Sequence, residues 1–339
     1  MVGITNFQNR NTGVSMTRAK HGFFALVLGL TAMAAPLSAA PVKIGYSDWP
    51  GWVAWQVPIE KGWIKQAGLD VTFQWFDYSA SMDAFSAGKL DGVMMTNGDA
   101  LVTGSGGGKS VGIIITDYSN GNDMIVAKPG IASLKDLKGK KIGIEIGFVE
   151  HLMLLKGLEQ NGLTEKDVKL INTKTNETPQ VLGSGQVDAI GAWQPNSGMA
   201  MKALPGSKPV YTSAQVPGLI YDVIAVSPKS LAANRATYLK LSQIWDRTVK
   251  YINDPKTQPD ALALMSKRVG LTPEQYKPLL KGTHLIDLAE AQKVYQKGPG
   301  LNSIYGSSKV ANDFNVKYGV YKKPENVDAY LDPSIAAGK

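Results

Sequence analysis

An α/β fold with a largely parallel sheet, divided between two lobes, is what this chain predicts, on three observations. Short runs of β-branched and aromatic residues alternate with helical patterns along most of its length. Several of those strands run through Gly-containing turns into helix starts, the place where open α/β sheets hold ligands. About 299 residues remain once an N-terminal leader is set aside, which is more than one hydrophobic core commonly holds.

The leader comes first. Arg18 and Lys20 form a charged region, residues 23–33 an apolar core, and Ser38, Ala39 and Ala40 a small-residue cleavage site, so residues 1–40 read as an export signal cleaved near 38–40, with Met16 as its start. That apolar run is short for a membrane span. With no Cys in the chain, neither a disulfide nor a lipidated cysteine is available, and the processed protein is expected to be soluble in an exported, periplasmic compartment.

The processed chain opens on a strand at 42–46, turns at 47–52, and continues as a helix to about Lys65. Residues 71–76 alternate as a second strand, and a helix from Ser79 ends at Gly88. A third strand follows at Gly92, then the polar loop 96–99 and a short helix, then a buried strand at 111–116. The second lobe begins near Lys128. It carries a strand at 141–145, a helix at 151–161, a strand at 168–171, a helix near 178–184 and a strand at 187–193. Tyr238, Leu241, Ile244, Trp245, Val249 and Ile252 then recur at helical spacing, so the tail is helical and packs back on the first lobe. The predicted layout is residues 41–127 as the first part of lobe one, 128–220 as lobe two and 221–339 as the remainder of lobe one. Two hinge crossings are expected, near 123–128 and 220–226.

Charge excludes one class of function. Removing residues 1–40 takes away Arg10, Arg18 and Lys20 and no acid, so the formal charge falls by three from +8. The lysines are dispersed rather than interleaved with aromatics in a stripe, so no nucleic-acid surface is expected. Only His151 and His284 lie beyond the leader, and no metal site or cofactor is expected. The run 103–110 nearly matches a phosphate-binding loop, but Thr103 replaces its first Gly and a strand follows it, the reverse of that motif's order.

The pieces 42–46, 88–92, 133–144 (Ser-Leu-Lys-Asp-Leu-Lys-Gly-Lys-Lys-Ile-Gly-Ile) and 185–189 together resemble the class II periplasmic solute-binding proteins of ABC importers, in the nitrate, sulfonate and taurine branch. Within that branch, the segments GYSDWPGW, QWFDYSASMDAF, TNGDALV, DYSNGNDMIVAKPGI and GAWQPNSG are similar to binding proteins of urea-carboxylase-type, guanidine-degrading operons. The resemblance implies a monomeric, non-enzymatic receptor that closes on a small nitrogen-rich solute, guanidine first, and delivers it to an ABC permease complex in the inner membrane. Urea, another small amide or a sulfonate such as taurine is the alternative ligand. An enzyme on the same frame, as in pyrimidine-precursor synthases, is the alternative class.

The candidate ligand-binding residues are Asp48, Trp49, Trp52, Asn97, Asp123, Glu145, Glu150, Trp193 and Asp222. Acids supply acceptors for N–H groups, and indoles supply cation–π walls. Asp48 either pairs a ligand or caps the following helix, and Asn97-Gly98-Asp99 is either a contact or a turn with Asp99 as N-cap. Carboxylates at Glu145 and Glu150, beside the start of a lobe-two helix, oppose a bound anion. His151 reads as structural, and 118–123 as hinge hydrogen bonds or ligand contacts.

Overall fold

The computed structural model describes residues 41–339; the expected export signal lies outside the described residues. Among the described residues, eleven strands form two sheets. The first sheet takes β1 (Val42–Tyr46), β2 (Val71–Trp75), β3 (Gly92–Thr96), β4 (Val111–Ser119), β10 (Tyr221–Val226) and β11 (Thr283–Leu285), in the order β11-β4-β10-β3-β1-β2. The second takes β5 (Asp123–Ala127), β6 (Lys141–Ile144), β7 (Lys169–Asn172), β8 (Ala189–Trp193) and β9 (Lys208–Thr212), in the order β7-β6-β8-β5-β9. Pairing is parallel for β2-β1-β3 and for β7-β6-β8, and antiparallel where β10 and β5 enter.

Sequence explains which strands are central. β3, β8 and β10 are buried at every position, as expected of strands covered on both faces, whereas the edge strands β2 and β7 alternate or face solvent. The chain passes between sheets twice, at 120–122 and at 213–220. Both passages lie earlier than the expected crossings at 123–128 and 220–226. Asp123–Ala127 and Tyr221–Val226 are already paired along their whole length with the second and first sheets respectively. An expected lobe boundary after residue 127 would leave β5 with the wrong sheet.

The segment expected as one helix to Lys65 is three short ones, Pro50–Val53, Gln56–Glu60 and Trp63–Gln66. Pro58 has no N–H to continue the ladder, and Gly62 turns the chain at φ 67°, a left-handed value that favours glycine. The helix Pro228–Asn253 buries the expected stripe against the first sheet, with Trp245 stacked on Trp55 at 5.2 Å. Residues 103–110 run off the end of the helix Asn97–Ser105 into β4, so they cradle no helix N-terminus. Among the described residues, no helix is long and apolar enough to cross a membrane.

The passages are tied to each other. Ser119 Oγ lies 2.6 Å from Ser213 Oγ, which also accepts from the Gly121 amide at 2.7 Å. Asn122 donates to the Leu279 carbonyl and to Thr283 Oγ1. Of 118–123, read either as hinge hydrogen bonds or as ligand contacts, Ser119, Gly121 and Asn122 thus make bonds at the passages, while Tyr118 stacks on His284 at 4.6 Å.

Candidate functional site

Five carboxylates are buried around one space between the sheets. That space, about 210 Å³, is walled by Trp49, Trp52, Tyr78 and Trp193, closed by Thr96, Val149 and Ile220, and met by Asp123 and Asp222. No Lys, Arg or His lines it. Asp222 comes from β10 in the first sheet, in register with Thr96 and Asp117. Asp123 begins β5 in the second sheet, opposite Trp193. Each is 2% exposed, and Oδ2 of each has no hydrogen-bond partner. A buried carboxylate oxygen without a donor is costly, and the groups in reach of these two residues are themselves acids, Asp117 beside Asp222 and Glu150 beside Asp123, which can answer them only by sharing a proton.

The surrounding acids are better satisfied. Asp117 accepts from Trp49 Nε1 and from Thr116 Oγ1, both at 2.8 Å. Gly51 packs directly on it, since a Cβ there would fall 2.0 Å from Asp117 Oδ2. Asp99 accepts from the Tyr78 hydroxyl at 2.6 Å. Thr96, rather than Asp99, caps the helix Asn97–Ser105, its hydroxyl accepting from the Asp99 amide at 3.0 Å. Glu150 is fully buried behind Asp123, with neither oxygen partnered.

Burial, with no cation to offset it, pushes every one of these groups toward its protonated form. Burial raises Asp99 to about 7 against the hydrogen bonds from Tyr78 and Thr96, and raises Asp117 and Asp123 to about 6. Asp222 is held well above the carboxylate range by burial and then by Asp117 and Asp123; Glu150 is held there by burial and then by Asp123 and Asp99. Crowded acids of this kind share protons until a cation arrives.

A second recess, about 440 Å³, adjoins the first and has Tyr78 and Trp193 as its shared wall. Asp48 lies here, not in the inner cage. Its oxygens accept from Trp193 Nε1 at 2.9 Å and Asn196 Nδ2 at 2.7 Å, which ties the first strand's turn to the second sheet. It does not cap a helix, because the residue preceding Pro50–Val53 is Trp49. Glu145 also lines the recess and accepts from Thr175 Oγ1 at 3.3 Å.

Of the nine expected residues, Trp49, Trp52, Asp123, Trp193 and Asp222 therefore meet at the inner cage, with Glu150 behind it, while Asp48 and Glu145 meet at the recess. Asn97 joins neither. Its amide donates to Ser307 and Ser308 at 3.0 Å and its carbonyl accepts from the Tyr221 amide at 3.1 Å, so every polar atom is engaged in holding the helix Ile304–Lys317 to β10. His151 is structural, as read: Nδ1 accepts from the Gly147 amide, the ring packs on Phe314, and burial holds it down at about 4. Sequence reasoning missed Asp99, Asp117 and Tyr78 as parts of the cage. The available signal was an Asp ending the otherwise apolar run 111–116, where a strand buried on both faces has no ordinary use for a charge.

Residues 51–258 match the family model described as NMT1/THI5 like. The chain belongs to that family. A putative binding protein of Brucella abortus is 32% identical to this NMT1/THI5-like chain over 188 residues, 54% of this chain and 58% of the relative. The match thus spans little more than half the length of that curated relative. Among solved structures, the alkanesulfonate-binding protein SsuA from Xanthomonas axonopodis pv. citri bound to MOPS is similar at a TM-score of 0.72 and 15% identity, over 87% of this chain and 98% of its own. The periplasmic nitrate-binding protein NrtA from Synechocystis is similar at 0.68 and 12%, over 88% and 89%. The NMT1/THI5-like chain has the two-sheet α/β fold of these periplasmic binding proteins.

Proposed function

We propose that this protein is the extracytoplasmic solute-binding component of an ABC importer and that its ligand is guanidinium. Asp123 and Asp222 carry the reading: they stand on different sheets, fully buried, with unpartnered oxygens facing an aromatic-walled space that no cationic side chain lines. Guanidinium is planar, weakly hydrated and rich in N–H donors. It suits carboxylates on two sides and indole faces above and below. A ligand that bridges the two sheets also holds them together, the signal a permease complex reads.

Residues 1–40, read as an export signal, support a periplasmic location, and the protein is read as a monomer. A receptor rather than an enzyme is the reading favoured by the relative named as a binding protein. The sulfonate and nitrate ligands named for the fold neighbours would require Asp123 and Asp222 to keep their protons, whereas a cation is matched by the ionised pair. Urea is the second reading: Asp99, at about 7, and its neighbours retain protons near neutrality, giving the cage donors as well as acceptors.

Isothermal titration calorimetry of the purified protein with guanidinium, urea, taurine and nitrate tests this. Guanidinium should bind most tightly; at about 100 times its dissociation constant it should add about 2.7 kcal/mol of stability. Taurine or nitrate binding in place of guanidinium would refute the cage assignment, and turnover of guanidinium or urea would refute the receptor class.

A further inference from the structure

We infer that the recess beyond Tyr78 and Trp193 is a second subsite, which takes a short, uncharged hydrogen-bonding arm carried by the cation. The preferred ligands are then N-substituted guanidiniums rather than the bare ion. The inference rests on the guanidinium reading of the inner cage and extends it.

Three observations support it. First, the two spaces are neighbours in one cleft. Tyr78 and Trp193 line both, meeting edge to face with centroids 5.2 Å apart, so this one ring pair is the partition that an arm reaching from the cage into the recess has to pass. The polar ends of both rings are fixed elsewhere, on Asp99 and Asp48, which leaves their carbon edges to flank the arm. Second, the recess contains unanswered hydrogen-bonding capacity. Ser47 is 3% exposed, lines the recess, and its hydroxyl has no partner. Asn176 and Ser79 lie on the same lining, in the segments that follow β7 and β2. A buried hydroxyl both donates and accepts, so it suits a carbonyl or an amide N–H equally. Third, charge selects the arm. Asp48, Asp77 and Glu145 line the recess against the single cation Lys174, so a carboxylate arm is opposed there. A plain alkyl arm would leave Ser47 Oγ and Glu145 without new partners, and gains nothing from them.

The test is a calorimetric comparison of guanidinium, methylguanidine, guanylurea and guanidinoacetate on the purified protein, repeated on Ser47→Ala and Asn176→Ala. Guanylurea, with its neutral carbamoyl arm, should bind at least tenfold tighter than guanidinium and methylguanidine, and guanidinoacetate weaker than all three. Ser47→Ala should bring the guanylurea-to-guanidinium ratio close to one. Asn176→Ala, at a solvent-facing position, should lower that ratio and serves if the buried Ser47 change prevents folding. Guanidinium binding with no advantage for guanylurea, or an advantage untouched by either substitution, overturns the subsite and leaves the cage standing. Failure of all four compounds to bind overturns both.

Discussion

Replacing Asp222 by Asn separates a ligand-pairing acid from a structural one, because the two roles predict opposite signs. Asp222 is fully enclosed, its Oδ2 lacks a donor, and its neighbours Asp117, Asp123 and Asp99 all carry like charge when ionised. In the empty protein the substitution removes an acid whose ionisation burial and its acidic neighbours oppose, and supplies an amide that can donate to Asp117. The empty form should therefore melt higher at pH 8, by about 2–4 °C for each kcal/mol relieved. With guanidinium present the sign reverses. A buried cation that loses its partner costs about 3–5 kcal/mol, or about two to three and a half orders of magnitude in dissociation constant. Paired melting curves and titrations at pH 8 read both quantities on one preparation. Unchanged affinity in a folded variant would refute the pairing role. A lowered melting point in the empty form would refute the claim that Asp222 is electrostatically strained.

The same crowding sets a pH dependence: Asp99 at about 7 and Asp117 and Asp123 at about 6 lie above the ordinary value of about 4, so the folded chain binds protons that the unfolded chain has released. The stability these groups contribute is complete below about pH 4 and is lost as pH rises through 6 and 7, so empty protein should melt lower at pH 8 than at pH 5, whereas guanidinium, which displaces those protons, should bind more tightly at pH 8. Trp193→Phe removes the 2.9 Å bond to the half-buried Asp48, and a hydrogen bond to a charged group is worth about 1.5–3 kcal/mol; calorimetry should show affinity weakened about tenfold to hundredfold through loss of this tie between the sheets. Gly51→Ala pushes a methyl into Asp117, and overpacking of this kind should cost about 1–3 kcal/mol in denaturant melts while also weakening binding. Asn97→Ala should lower stability by about 1–3 kcal/mol through its lost bonds to the 307–308 hydroxyls and the Tyr221 amide, yet leave the dissociation constant within about threefold; a larger shift in titration would return Asn97 to the ligand.

Local pattern was enough to read the alternation of strands and helices, the fully apolar central strands β3 and β8, and the helical tail built on Tyr238, Leu241 and Trp245, because periods of 2 and 3.6 are written into neighbouring residues. It also showed that acids and tryptophans cluster at strand ends: Trp49 and Trp52 after β1, Asp123 at the start of β5, Trp193 at the end of β8. Tertiary structure alone decided what each of those groups does. Asp48 and Asp222 look alike in sequence. Yet Asp48 is answered by Trp193 and Asn196, which lie 145 and 148 positions away, while nothing answers Asp222 Oδ2. Asn97 was equally legible as a ligand contact until Ser307 and Ser308, over two hundred residues later, took its amide. Asp99 and Asp117 joined the cage only because β10 pairs between β3 and β4 and aligns Asp222 with both Thr96 and Asp117. Whether a buried carboxylate is satisfied or waiting depends on donors that the register of distant strands brings to it, and a linear sequence does not carry that register.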